Sequence, residues 1–181
     1  MEVKECIEGR RSIRNFTEKA VDRALLEEIV GEAAYAPSWK NTQVTRYLII
    51  DDKAVINEIA EKFTTCFSYN GGTIGKAAVL VAVTALKGRS GVERDGSFTT
   101  KREASWLMFD AGCSVQTFCL AAHEKGLGTV IMGIFDDGLS DYLKIEEDRE
   151  LVNLICVGYP AEEPAAPKRK AVSELVSYFE G

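Results

Sequence analysis

Histidine is almost absent: His123 is the only one in 181 residues. No histidine triad and no histidine-based metal cluster can be assembled around it. On the polar side of a helix end, it reads as a solvated residue. Cysteine is sparse and odd in number, with five at 6, 66, 113, 119 and 156 and no C-x-x-C spacing. That excludes a disulfide framework or zinc site and fits buried or free thiols in a reducing cytosol. Cys113 and Cys119, six apart on a helix, read as core packing. Positive charge is in deficit, with 22 Lys and Arg against 28 Asp and Glu and a net charge of −6. General nucleic-acid binding needs a basic face, so it is excluded. No apolar run approaches the ~18 residues of a membrane span. The opening "MEVKECIEGR" has no apolar core, so no secretory leader is expected, and a cytoplasmic placement is expected. No internal repeat or low-complexity tract is visible.

What is present is an ordinary globular composition, 46% hydrophobic and 28% charged, at a length that suits one domain. Residues 2–9 read as a short helix. "DRALLEEIVGEAAYAP" reads as an amphipathic helix that Asp22 can cap, with Leu25, Leu26, Ile29, Val30 and Ala33 in one stripe and Pro37 closing it. "RYLII" (46–50) predicts a strand, and 53–66 a second amphipathic helix. "AAVLVAVTAL" (77–86) predicts a strand covered on both faces. Residues 87–102 predict a long exposed loop. A helix over roughly 103–125 is apolar nearly all round, as a central or interface helix would be. Strands follow at 127–135 and 150–159. Three of the four prolines, at 160, 164 and 167, predict an extended arm after Tyr159. Helices and apolar strands are mixed throughout, which indicates a layered α/β or α+β domain.

Few segments carry chemistry. "NGGTIGKAA" (70–78) lacks both the first glycine and the Ser or Thr of a phosphate loop, and it precedes a strand. No G-x-G-x-x-G follows a predicted strand, so a Rossmann dinucleotide site is not expected. "GRRSIRNF" (9–16) is different. Its guanidinium groups match phosphate oxygens bidentately, and Ser12 adds a hydroxyl. A second basic knot, "PKRK" (167–170), stands on the proline-spaced arm. "APSWKNTQ" (36–43) offers Ser38, Asn41 and Gln43 to the polar edge of a planar heterocycle. "GLGTVIMGIFD" offers glycines that let backbone approach a flat ligand.

The order of these segments resembles the flavin-dependent nitroreductase family over essentially the whole chain: "RRSIRNF", "APSWKNTQ", "AAHEKGLGTVIMGIFD", then "VGYP" and the basic arm. The resemblance implies an α+β fold, a three-layer α/β/α sandwich on a central, mostly antiparallel sheet. It implies an intertwined homodimer with FMN at the interface. Residues 1–160 would form one FMN-binding domain, and 161–181 an arm packed on the partner subunit. Arg10, Arg11, Ser12 and Arg14 would address phosphate, ribityl and pyrimidine edge, with Lys168 and Arg169 also at the phosphate. Ser38 and Asn41 would reach across from the partner chain. Asn70 resembles an asparagine that bonds the pyrimidine. Met132 and Gly133 would present backbone near the flavin N5 edge.

The implied activity is an FMN-dependent oxidoreductase. Hydride from NADH or NADPH would pass through flavin N5 to an electron-poor acceptor such as a nitroaromatic or quinone, in ping-pong order. Arg14 is the candidate for stabilising charge on reduced flavin. No side-chain acid is required. Flavin chemistry of another kind on the same fold, such as dehalogenation or flavin destruction, is an alternative, and so is a flavin-binding store or redox sensor. Two departures concern the acceptor pocket. Gln43 is followed by Val44 and Thr45 where the family often has Pro and Trp, and loop 87–102 stands where larger members carry a helical lid.

Overall fold

The computed structural model describes residues 1–181. Two apolar strands decide its architecture. β2 (Val79–Leu86) reads VLVAVTAL, and the C-terminal half of β4 (Arg149–Gly158) is equally apolar and buried. Strands that bury both faces need cover on both. They pair with each other at the centre of a four-stranded sheet of order β1-β2-β4-β3. β1 (Thr45–Ile50) and β3 (Gly128–Met132) form the edges, and every pairing is antiparallel.

The two-residue period of a strand then sorts the side chains into two cores. Val79, Val81, Val83, Ile155 and Val157 pack against α2 (Arg23–Ala33) and α5 (Ser105–Glu124). Leu80, Ala82, Leu154 and Cys156 face the opposite way, into the core under α3 (Lys53–Lys62), α4 (Ser68–Ile74) and α6 (Leu139–Tyr142). The result is the three-layer α/β/α sandwich of α+β class that the family resemblance implies. α2 starts where expected, because the Asp22 carboxylate accepts from the Ala24 N–H. Such a cap contributes about 1 kcal/mol. Leu26, Ile29 and Ala33 are its buried stripe. α5 buries Val115, Phe118 and Ala122 against the sheet, while Met108 and Phe109 lie exposed on its outer side. No helix is long and apolar enough to cross a membrane.

The structure departs from the predicted elements in several places, among them α6, where no helix was expected, and β3, which ends at Met132 and not at 135. The helix predicted over 53–66 ends at Lys62. The Thr64 hydroxyl donates to the Ala60 carbonyl at 2.7 Å, and the chain turns through Thr65–Phe67. α4 then forms where no helix was expected. A Cβ at Gly71 would stand 2.6 Å from the Ala60 carbonyl oxygen, so a glycine that looks like a loop signal instead lets two helices touch. Loop 87–102 is not exposed throughout, since Ser90 and Gly91 are buried.

A short helix α1 (Val3–Gly9) opens the chain. At the other end, Ala161 N–H still donates to the Asn15 carbonyl at 3.0 Å, so the arm's first residues belong to the chain's own body. Residues 165–181 are exposed, with one turn at Val172–Glu174.

Candidate functional site

The arginine segment leaves α1 and runs beside β3. Ile13 N–H donates to the Thr129 carbonyl at 3.0 Å, and Ser12 bridges Thr129 in parallel. This close approach depends on glycine. A Cβ at Gly128 would lie 2.7 Å from Ile13, and one at Gly158 would lie 2.9 Å from Phe16. Glu162 pins the same segment from the arm side, accepting from the backbone N–H of Arg14 at 2.8 Å and of Asn15 at 3.2 Å. Those bonds hold its carboxyl below the ordinary value.

The three guanidinium groups then differ. Arg11 Nη1 donates to the carbonyls of Glu8 and Arg10 and so ties down the end of α1. Arg14 has only the Ser12 carbonyl, at 3.3 Å. Arg10 has no hydrogen-bond or ion-pair partner for its side chain. Arg10, Arg11, Thr129 and Glu162 line a cavity of about 260 Å³, together with His123. His123 is half-buried against Gly9 and not the solvated residue expected. Burial, then the charges of Arg10 and Arg11, push its imidazole below the ordinary pKa. Sequence reasoning missed Thr129, His123 and Glu162 as members of this site. The acidic pair in "PAEEP" was the one visible signal.

Further along β3 the chain reaches Met132 and Gly133. By strand rise, Thr129 and Gly133 are about 13 Å apart. The Met132 side chain is buried in the core, and nothing crowds the position of a Cβ at Gly133. Asn70, on α4, lies at this end. Its Nδ2 donates to the Ile134 carbonyl at 2.8 Å, and its Oδ1 has no partner. Asp136 fixes the neighbouring backbone by accepting from Thr65 N–H at 2.8 Å, Thr65 Oγ1 at 2.6 Å and Cys66 N–H at 3.0 Å. Bonds from Cys66 and Thr65 hold its carboxyl well below the usual carboxylate range. Thus β3 carries free cations beside its start and an amide with an open acceptor beside its end.

The Ser38–Gln43 loop lies elsewhere. Lys40, Asn41 and Gln43 all have left-handed backbones, with φ of 45°, 56° and 48°. For side chains larger than glycine this costs about 1 kcal/mol or more each, so the surroundings must enforce it. Ser38 Oγ accepts from Gln43 N–H at 2.9 Å. The Asn41 side chain is exposed and unpartnered. The loop is anchored to Asp110 near the start of α5, through Trp39 N–H. The arginine segment sits against His123 near the end of the same helix. Thirteen residues of helix separate the two anchors, about 20 Å. One chain therefore does not bring Ser38 and Asn41 together with Arg10 and Arg14. Lys168 and Arg169 lie on the exposed arm without partners.

The Nitroreductase family model matches residues 7–159. A protein of Methanothermobacter thermautotrophicus, named for NADH dehydrogenase/NAD(P)H nitroreductase activity, is 28% identical over 91% of this chain and 80% of its own. The FMN reductase (NAD(P)H) of Bacillus subtilis is 27% identical over 99% of this chain and 74% of its own. Among solved structures, a nitroreductase-named protein of Exiguobacterium sibiricum in complex with FMN superposes with a TM-score of 0.81. It is 22% identical, covering 99% of this chain and 98% of that one.

Proposed function

The chain belongs to the nitroreductase family, and on that premise we propose that it is an FMN-dependent oxidoreductase. Its donor is NADH or NADPH, and its acceptor an electron-poor molecule such as a nitroaromatic or quinone. The observation that carries this reading is the convergence along β3. Groups drawn from residues 10–14, 70 and 132–133 line up beside one strand, with three guanidiniums that bond only backbone carbonyls or nothing and have no ion pair, and an amide oxygen open. A phosphate at one end and a heterocycle edge at the other fit that set of donors and acceptors. FMN, when bound, supplies the redox chemistry, carrying two electrons from donor to acceptor.

This chain's residues supply position and charge. Arg10, with Ser12, holds the phosphate, and Lys168 and Arg169 of the basic arm add to it. Arg11 keeps the segment in place through the end of α1 and presents its remaining N–H groups to the same anion. Arg14 would offer its guanidinium to negative charge at the pyrimidine edge. Asn70 would accept from the ring edge, and the backbone of Met132 and Gly133 would stand near its redox-active side. Ser38 and Asn41 act on the flavin of a second copy, because their loop stands at the far end of α5. A two-fold homodimer with two equivalent sites follows. Its contacts include the exposed Met108 and Phe109 of α5 and the arm from residue 163 onward.

The test is direct. The purified protein is denatured and its released flavin identified by chromatography. FMN is expected; FAD, or no affinity for added FMN, overturns the reading. Arg169→Glu sets a charge against the phosphate and weakens FMN binding. Reduction by NADH or NADPH followed by parallel double-reciprocal lines supports ping-pong turnover. If neither donor reduces the flavin, a flavin-binding protein without turnover replaces the enzyme.

A further inference from the structure

Asp110 is almost wholly buried, with 2% exposure, in the first half of α5. No lysine or arginine pairs with it. Its carboxylate instead accepts from Trp39 N–H, at 3.0 Å to each oxygen, and from the Ser90 hydroxyl at 2.7 Å. A buried carboxylate without a cation is costly unless hydrogen bonds satisfy it. These bonds come from two different loops. Trp39 heads the strained Ser38–Gln43 loop, and Ser90 is the buried anchor of loop 87–102.

Other contacts join the same two loops. Lys40 Nζ pairs with Glu93 at 2.8 Å. Within loop 87–102, Glu93 also accepts from Thr99 Oγ1 at 2.7 Å. The Trp39 ring lies 4.7 Å from that of Trp106, whose Nε1 donates to Thr100 Oγ1 at 2.8 Å. Among these links, Lys40–Glu93 is exposed and screened by water. Asp110 is the one that is dry.

We propose that Asp110 is a positioning residue that locks the Ser38–Gln43 loop and loop 87–102 into one wall. The wall is the part of each protomer that faces the partner's flavin, and in this the inference rests on the functional reading above. Asp110 touches neither cofactor nor acceptor. It sets where Ser38 and Asn41 stand, and it makes loop 87–102 a fixed side of the acceptor pocket. One carboxylate thereby couples cofactor retention to acceptor choice. Ser90 carries only the second half of that coupling.

The test uses Asp110→Asn and Ser90→Ala in the full-length protein. The amide keeps the shape but removes the charge, so its bonds to Trp39 N–H and to Ser90 are no longer charge-assisted. In the protein without flavin, Asp110→Asn should change the near-ultraviolet circular dichroism of the Trp39–Trp106 pair. It should also speed tryptic cleavage at Arg89, Arg94 or Lys101. With flavin, its Kd for FMN should rise about tenfold or more, the loss of one charge-assisted hydrogen bond. Ser90→Ala should speed the same cleavage and raise the acceptor KM about threefold or more, while FMN affinity stays unchanged. A purely structural role would lower the melting temperature of both variants and leave FMN Kd and acceptor KM as in wild type; that result overturns the proposal. Should Asp110→Asn fail to fold, Ser90→Ala alone decides it: cleavage and acceptor KM both unchanged overturn it. Absence of FMN binding in the wild-type chain sinks the functional reading instead, and the cleavage and dichroism measurements still test the lock.

Discussion

Asn70 and Ile134 stand 64 positions apart in the chain and are joined by one hydrogen bond of 2.8 Å, from the side-chain amide to the backbone carbonyl. Spending the nitrogen on Ile134 fixes which way the amide faces, and that leaves the oxygen to accept. Asn70→Asp removes the donor and sets a carboxylate against a carbonyl in a buried position. FMN affinity should fall about tenfold or more, measured by quenching of flavin fluorescence. Asn70→Ala, which loses the acceptor without adding repulsion, should cost less. Equal affinity in all three proteins would remove Asn70 from the site.

Gly128 and Gly31 make a pair of opposite sign. A Cβ at Gly128 meets Ile13 at 2.7 Å, while one at Gly31, in the last turn of α2, meets nothing within 4 Å. Gly128→Ala should destabilise by about 1–3 kcal/mol, the usual range for overpacking. It should also weaken FMN binding, because the arginine segment must shift. Gly31→Ala should stabilise by about 0.5–1 kcal/mol through the lower entropy of the unfolded chain. Urea unfolding curves decide both.

Stability should be lost at alkaline pH. Burial pushes the Cys156 thiol up to about 12 from its ordinary value near 9. Burial likewise raises the Tyr47 hydroxyl to about 12 and lifts the Cys119 thiol. All three hold their protons longer when folded than when unfolded. Their contribution is therefore complete below the unfolded value and is lost as pH rises from about 9 toward 12. Each fully buried thiol adds a slope of about 1.4 kcal/mol per pH unit. Cys156→Ala should make that slope shallower. The acid side has the opposite sign. The depressed carboxyls of Asp136 and Glu162 stabilise above the unfolded carboxyl value and lose that contribution as pH falls below it. Denaturation series at pH 3, 5, 7, 9 and 10 would reveal any departure from a plateau between the two limbs.

The sheet was legible because its chemistry is local. A run such as VLVAVTAL has no polar face, so it must be central, and the helices that cover it show their own apolar stripes. α4 was not legible. Its two glycines are poor helix formers, and what makes Gly71 useful is the Ala60 carbonyl lying against it from another helix. The arginine segment and the Ser38–Asn41 loop stood out as motifs, and so did their order. Asp110 did not, since a single aspartate in a helix has no pattern. Its meaning comes from Trp39 and Ser90, 71 and 20 residues away. His123 was misread for a similar reason: the neighbour that buries it, Gly9, lies at the other end of the chain. Spacing along the sequence carries strands and motifs, but the partners of buried polar groups appear only in three dimensions.

The separation of the two loop systems along α5 gives the sharpest test of the proposed assembly. Arg10 stands near His123 at one end of the helix and Asn41 near Asp110 at the other, about 20 Å apart by helix rise. If each flavin is held by Arg10 of one protomer and Asn41 of its partner, two dead variants should rescue each other. Arg10→Glu and Asn41→Asp, each expected to lose FMN alone, are co-expressed with different affinity tags, and doubly tagged dimers are isolated. In such a dimer one site collects both lesions and the other collects neither. Half of the sites in the mixed dimers should bind FMN at wild-type affinity. In the unsorted pool, where random mixing makes about half of the dimers mixed, roughly a quarter of all sites should recover. Recovery in the mixed dimers alone places the two residues on opposite sides of one shared site. Mixed dimers that form and stay colourless would show that each site is built within a single chain, and Ser38 and Asn41 would then lose their assigned role.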